Sequence, residues 1–342
     1  MIRRIKHAST ATCTLPIYMG FLMTEPNSIS CTQLAETYNI SHDSVNRFLE
    51  REDYTPHDLY QEAIQHIDNN KLIVSIDDTV LDKPYSQHMD LVSYFWSGKH
   101  HRSVKGINLI TLYATDQNGQ NIPINFRIYD KSEGKTKNDY FMDMLSEVLS
   151  WGAKIQFITG DSWYSSTGNL KTIRKHGIRF MFGIDSNRKV SPEKGQWFQL
   201  RLLPNFHQGQ VVWLKDFGFV QLFKTQLKEQ QRFYIVHQDE DDLLSFDSFH
   251  ELHSSHWKIE QYHRVIKQVC HIEKFQVRRS KLILNHIFSA LMAYVEIQKN
   301  QFERIFENVY RWQKKLFRPV IKNFIDDFIL DKNHLLPQRI YK

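Results

Sequence analysis

The chain has 342 residues, 41% of them hydrophobic, and a formal net charge of +6; it is long enough for one sizeable core with one or two attachments, is not compositionally disordered, and suits a polyanionic partner without requiring one. Three widely spaced cysteines, Cys13, Cys31 and Cys270, form no CxxC pair, which argues against a zinc ribbon or disulfide scaffold and for a reducing compartment. No apolar run reaches membrane-spanning length, and the first residues, Met1-Ile-Arg-Arg-Ile-Lys-His7, run into polar sequence, so the expected location is the cytoplasm, with no membrane partner.

After a weakly patterned start, residues 32–38 and 42–49 read as two short helices joined by Asn39-Ile-Ser41, with Ser41 the N-cap. Ile40, Val45 and Phe48 fill a small core between them. The pattern is that of a helix-turn-helix able to offer His42, Asn46 and Arg47 to DNA, and equally that of an ordinary helical hairpin. A helix over 58–68 leads onward. Residues 71–79 then read as a buried strand running into Asp77 and Asp78, placed at its carboxyl end, where carboxylates are seldom needed for folding.

A basic loop with Lys99, Arg102 and Lys105 precedes a strand over 106–115, a turn at 116–119 and a returning strand over 122–129, with Pro123 at an edge or a strand start. Residues 138–151 form an amphipathic helix. A strand over 154–161 ends in Asp161, a helix over 168–176 stops at Gly177, and 178–184 is another strand. Three strands, then helix, strand, helix and strand make a mixed α/β core. Neighbouring strands would set Asp161 beside the Asp77-Asp78 pair.

From 186 to about 242 the texture becomes β-rich, with short strands near 197–203, 210–214, 218–223 and 231–236 and an acidic patch at 239–242. A long helical stretch follows, His253-Ser-Ser-His-Trp-Lys-Ile-Glu-Gln-Tyr-His-Arg-Val-Ile-Lys267. Ile259, Tyr262, Ile266 and Val269 form its apolar stripe, while His253, His256, Glu260, Arg264 and Lys267 gather on another side at offsets of three or four. Such a face is also what a solvated helix laced with i,i+4 pairs displays. Residues 282–297 are helical, and 302–329 form a helical, aromatic and basic tail interrupted by Pro319.

Two strand-end carboxylates and one from a later helix are the minimal set for holding two divalent metal ions around a phosphodiester. Mg²⁺ wants hard oxygen ligands and keeps several waters, so three or four carboxylate oxygens suffice. A transition metal on His253, His256 and Glu260 is the competing arrangement, but it leaves the strand-end aspartates without a purpose.

Ile76-Asp-Asp-Thr79, Gly160-Asp-Ser162 and above all His256-Trp-Lys-Ile-Glu260 with the residues up to Lys267 resemble the DDE transposases of bacterial insertion sequences, in the IS4-like group with a β-rich insertion between the second Asp and the Glu. The resemblance implies an RNase H-like α/β core over 69–185 and 245–300, an insertion over 186–244, an N-terminal helical module over 1–68 and a helical tail over 301–342. It implies Asp78, Asp161 and Glu260 as the catalytic, metal-binding triad. Asp78 is preferred because a threonine follows it, and Asp77 is the alternative.

The family's signature helix carries Tyr, Arg, Glu and Lys in that order; here His253 and His256 stand in the first two positions, and histidine cannot reproduce a permanently charged, bidentate guanidinium contact. Lys267 is then a phosphate contact, and Trp257 is expected to pack into the core. The resemblance implies two Mg²⁺ ions, replaceable by Mn²⁺, cleavage at element ends, strand transfer of the 3′-hydroxyls, a homodimer on double-stranded DNA, and a nucleoid-associated bacterial protein. Where the second strand is cut through a hairpin, Trp197 or Trp213 is available for stacking. DNA contacts are expected from Lys267, Arg264, His256, His253, Arg102, Lys105, Arg188, Arg47 and Arg278, with further basic residues at Lys171, Arg174, Lys175, Lys189, Lys274, Arg279 and Lys281. A nuclease without strand transfer, and an inactive transposase-derived DNA-binding protein, are the rival readings.

Overall fold

A computed structural model describes residues 12–25, 29–98, 100–227, 230–237 and 243–333. Lys99 and the acidic patch at 239–242 lie outside the described residues, as does the chain beyond 333. The N-terminal part holds α1 (Leu15–Thr24), α2 (Cys31–Tyr38), α3 (His42–Arg51) and α4 (Pro56–Ala63). Ser41 caps α3 by accepting from the Asp43 N–H at 3.2 Å, and Asn39 closes α2 in the left-handed conformation, which a short polar side chain tolerates.

The core begins with β1 (Leu72–Asp82), β2 (Ser93–Ser97), β3 (Arg102–Thr115) and β4 (Asn121–Ile128), followed by α5 (Lys137–Ser150), β5 (Ile155–Gly160), α6 (Thr167–Lys175) and β6 (Arg179–Ile184). β3 runs antiparallel to β1, whereas β5 pairs parallel with β1 and β6 parallel with β5. On its other edge β3 receives β2 and β4 end to end. Four strands paired antiparallel, followed by two parallel ones joined through helices, give the RNase H-like mixed sheet. β2 escapes the sequence pattern because its five residues alternate around only one buried aromatic, Phe95.

The strand expected to stop at the aspartates does not stop there. β1 continues to Asp82, because β3 pairs with it as far as Asp82↔Gly106, while β5 leaves it after Ile76↔Gly160. Asp77 and Asp78 are therefore mid-strand residues, unpaired only on the β5 side.

The β-rich segment contributes β7 (Lys189–Ser191), β8 (Phe198–Gln199), β9 (Gln210–Leu214), β10 (Gly218–Leu227) and β11 (Gln230–His237). β11 pairs antiparallel with β6, so the insertion extends the core sheet into one of 11 strands. Three helices follow: α7 (Phe246–Gln268), α8 (Ser280–Phe302) and α9 (Val309–Asn333). α9 runs through Pro319 without a break; on an exposed helix the missing N–H removes one helical bond and need not end the helix.

α8 is buried on nearly every side from Leu282 to Gln298 and receives α1, α3, α4, α7 and β4, as expected of a helix that is apolar almost all round. One of its polar residues ties the N-terminal helices to the core: buried Asn285 donates to the Leu49 and Glu52 carbonyls, each at 2.7 Å, at the end of α3. Asn285→Ala leaves these carbonyls without their donor inside the protein. It is expected to lower the unfolding free energy by about 1–3 kcal/mol, read as a shift of the urea midpoint at unchanged slope; an unmoved midpoint would show that the carbonyls find other partners.

Candidate active site

Successive residues of a strand face opposite sides, so Asp77 and Asp78 part company. Asp77 pairs across from Thr111, whose hydroxyl lies 3.3 Å from Tyr262 Oη on α7, and the Asp77 carboxylate accordingly looks toward α7. There Asp77 Oδ2 lies 3.6 Å from His263 Nδ1. Asp77, Glu260 and His263 each offer one ligand atom, all within 4.8 Å of one another.

Asp78 looks the other way and is fully engaged. Its Oδ1 accepts from Tyr164 Oη at 2.9 Å, and its Oδ2 accepts from Asn108 Nδ2 at 2.6 Å and Lys137 Nζ at 2.7 Å. Three donors, one of them cationic, occupy most of the acceptor capacity of a carboxylate.

Asp161 sits one residue beyond the last β1–β5 pair, next to the aspartates as neighbouring strands require. Gly160 makes that placement possible: a Cβ there would meet Phe182 Cε1 at 2.6 Å and Ile76 Cγ2 at 2.7 Å. Beyond it the chain turns in a single 3₁₀ turn, Ser162–Tyr164, capped by Asp161 Oδ1, which accepts from the Trp163 N–H at 2.9 Å.

The electrostatics follow from this crowding. Burial, then the Asp161, Asp78 and Glu260 carboxylates, push Asp77 well above the usual carboxylate range, with the Asp78 N–H pulling back. Desolvation of its carboxyl and then the Asp78 carboxylate raise Asp161 to about 6, although the residue as a whole is exposed. His263 is held down to about 3, by burial first and then by the Lys267 ammonium, so its ring is neutral, the form that ligates a metal. Its buried Nε2 has no hydrogen-bond partner among the described residues. Clustered carboxylates fit a hard divalent cation, and the neutral imidazole beside them adds a nitrogen donor of the kind transition metals take.

The family model described as "Transposase DDE domain" matches residues 68–295. The chain belongs to the DDE transposase domain family. A comparison with curated proteins finds no match. Among solved structures this DDE domain is similar to the Argonaute of Marinitoga piezophila in complex with 5′ OH guide RNA, at 10% identity over 56% of this chain and 26% of that one, with a TM-score of 0.22. The same Argonaute with guide RNA and target DNA matches at 8% identity over 67% and 30%, TM-score 0.22. The chain thus spans less than a third of either Argonaute, and overlaps at such TM-scores support nothing about function.

Around the acidic cluster the DDE domain places the signature residues of α7 in different settings. His256 Nδ1 lies 3.2 Å from Thr159 Oγ1, which also meets Ser75 Oγ at 2.8 Å, and burial lowers its ring to about 4. His253 Nε2 meets Tyr234 Oη at 3.0 Å on the insertion, and burial lowers it too. Both rings join α7 to strands, and neither belongs to the metal-capable group found among the described residues. Lys267 Nζ donates to the Val80 carbonyl at 2.7 Å, and Arg264 is exposed. Trp257, expected in the core, is 48% exposed, because the buried stripe of α7 runs through Ile259, Tyr262 and Ile266 and leaves position 257 outside it.

The remaining basic residues are dispersed. Arg188 donates to the Ser165 carbonyl and to Thr167 Oγ1, bracing the segment after Asp161. Lys105 Nζ donates to the Ser86 carbonyl, and Arg102 is exposed at the start of β3. Arg47 pairs with Asp43 at 3.8 Å on α3, and Arg278 shares a cavity of about 340 Å³ with His42 and Asn46. Sequence reading missed His263, Lys137, Asn108 and Tyr164. His263, three residues after Glu260 on the same helix face, could have been found from spacing; the other three have no local signal.

A carboxyl held at about 6 in the fold and lower in the unfolded chain stabilises while protonated, and that contribution is lost as pH rises through about 6. Relative to Asp161→Asn, the metal-free protein should therefore melt higher at pH 5.5 than at pH 7.5. Stabilisation by added Mn²⁺ should grow as pH rises from 5.5 to 7.5, because protons compete for the same oxygens at the lower pH. A Mn²⁺-induced rise in Tm that ignores pH would detach Asp161 from the cation site.

Proposed function

We propose that this chain is the transposase of a bacterial insertion sequence, cutting DNA at the ends of its element and joining the released 3′-hydroxyls to target DNA. The observation that carries the reading is the convergence of Asp77, Asp161 and Glu260 from β1, the end of β5 and α7, with His263 beside them. In this reading Asp77 takes the first acidic position, since the oxygens of Asp78 are committed to Tyr164, Asn108 and Lys137.

Asp77, Glu260 and His263 would hold one Mg²⁺ or Mn²⁺, and Asp77 with Asp161 a second. Such ions, when bound, polarise the phosphoryl oxygens and lower the pKa of the attacking water or hydroxyl. The protein's own part is positional. Gly160 and the capped turn fix Asp161, and the three donors on Asp78 keep that carboxylate from competing for the cation. The phosphate backbone is received by charges around the site, of which Arg264 and Arg102 are exposed and Lys267 lies one helical turn past His263. His253 and His256, neutral and bonded to Tyr234 and Thr159, brace α7 and bring no charge to phosphate. The N-terminal helices, with His42, Asn46, Arg47 and Arg278, are suited to reading the terminal sequence, and two copies pairing the two element ends make the working unit.

The test uses purified protein and the DNA bordering its own gene on both sides, in Mg²⁺ and in Mn²⁺. Asp77→Asn and Glu260→Gln should reduce 3′ nicking and joined products to background, and Asp78→Asn by about 10–100-fold, as expected of a neighbour that orients the site. Activity that survives Asp77→Asn and disappears in Asp78→Asn would return the first acidic position to Asp78. Nicking without joined products under either metal would make the protein a nuclease.

A further inference from the structure

Trp163, two residues after Asp161, is 62% exposed. A large apolar ring left in water beside a reaction site is a recognition feature. Its position is fixed from below. The Trp163 N–H is bonded to Asp161 Oδ1 at 2.9 Å, and the next residue, Tyr164, is buried and bonded to Asp78 at 2.9 Å. The turn that sets Asp161 thus sets the indole as well. Lys137 Nζ, held on Asp78, stands 5.6 Å from the centroid of the indole ring. A cation on one side polarises the ring toward it, and more than half of the indole surface remains for a second partner.

A phosphodiester drawn to the acidic cluster brings its own nucleotides within reach of this turn. A base inside a duplex is already stacked on both faces, so the ring can receive only a base that has left the stack, at an end, at a nick or by extrusion. We propose that Trp163 is the stacking platform for one unpaired nucleobase of the strand whose phosphate enters the acidic cluster, with Lys137 backing the ring. The proposal rests on the reading that this site acts on DNA. It names a substrate-contacting residue in the core sheet, separate from the insertion tryptophans Trp197 and Trp213.

The experiment measures binding by fluorescence anisotropy, with Ca²⁺ in place of Mg²⁺, to two single strands of equal charge, each about 12 nucleotides long. One is oligothymidylate and the other an abasic deoxyribose-phosphate chain. The wild-type protein should prefer the base-bearing strand by about 5- to 150-fold, the range for a base stacked on an aromatic ring. Trp163→Ala should remove that preference and leave abasic binding unchanged, and Trp163→Phe should keep most of it. Equal losses for both strands, or a preference that survives in Trp163→Ala, would overturn the platform and leave the ring as a backbone or protein contact. Asp77→Asn separates the two readings, since it should abolish cleavage and keep the preference for bases. A wild-type protein that discriminates through Trp163 but never cleaves its bordering DNA would overturn the proposed transposase and not the platform.

Discussion

The structure turns on a mismatch in strand length: β5 stops beside Gly160 while β1 runs on to Asp82 under the pairing of β3. That leaves a notch on one edge of β1, and Asp77, Asp78 and Asp161 stand in or beside it. Carboxylates this close repel one another, as the raised protonation of Asp77 and Asp161 records. The fold relieves part of the repulsion by giving Asp78 a cation and two neutral donors on the face toward α5. It leaves Asp77 facing Glu260 and a neutral imidazole, with only its neighbour's N–H as a hydrogen-bond donor among the described residues. The unrelieved side carries Asp77, Glu260 and His263, which could together hold a metal ion.

Holding that arrangement needs rigid support from several directions. Tyr262, directly before His263, is buried between Tyr113 and Tyr294, with ring centroids 4.8 and 4.9 Å away, so α7 cannot rotate about its axis without breaking an aromatic cluster. α8 supplies Tyr294 and, through Asn285, the N-terminal helices. At the far end of the sheet β11 continues β6 edge to edge, and Tyr234 on β11 meets His253, so the insertion is fastened to the same helix that carries Glu260. Residues 186–244, remote from the carboxylates in sequence, help to fix the height of α7 above β1.

The two histidines in the signature positions gain a physical account from this. In place of the tyrosine and arginine that the resemblance leads one to expect, the helix carries two imidazole rings that bond inward, His256 to Thr159 and His253 to Tyr234, and burial lowers the pKa of both. At both positions the ring therefore fastens the helix to a neighbouring strand.

Read alone, the sequence determined the order of nearly all the strands and helices and a mixed α/β class, because alternation, helical periodicity and caps such as Ser41 are local physics written in adjacent residues; the RNase H-like arrangement was implied by the family resemblance. The sequence also set Asp161 at the end of an apolar strand and Glu260 on one face of a periodic helix, both legible boundaries. The tertiary structure alone decided how far β1 runs, because that depends on pairing with β3 some 30 residues away, as the Asp78–Asn108 contact marks. It decided which of two adjacent aspartates faces α7, a question of strand face that a run of apolar and acidic residues leaves open. Lys137, Asn108 and Tyr164 reach Asp78 from 59, 30 and 86 positions away. A side chain's partner at such separations is fixed by packing and topology, and no window of sequence contains it.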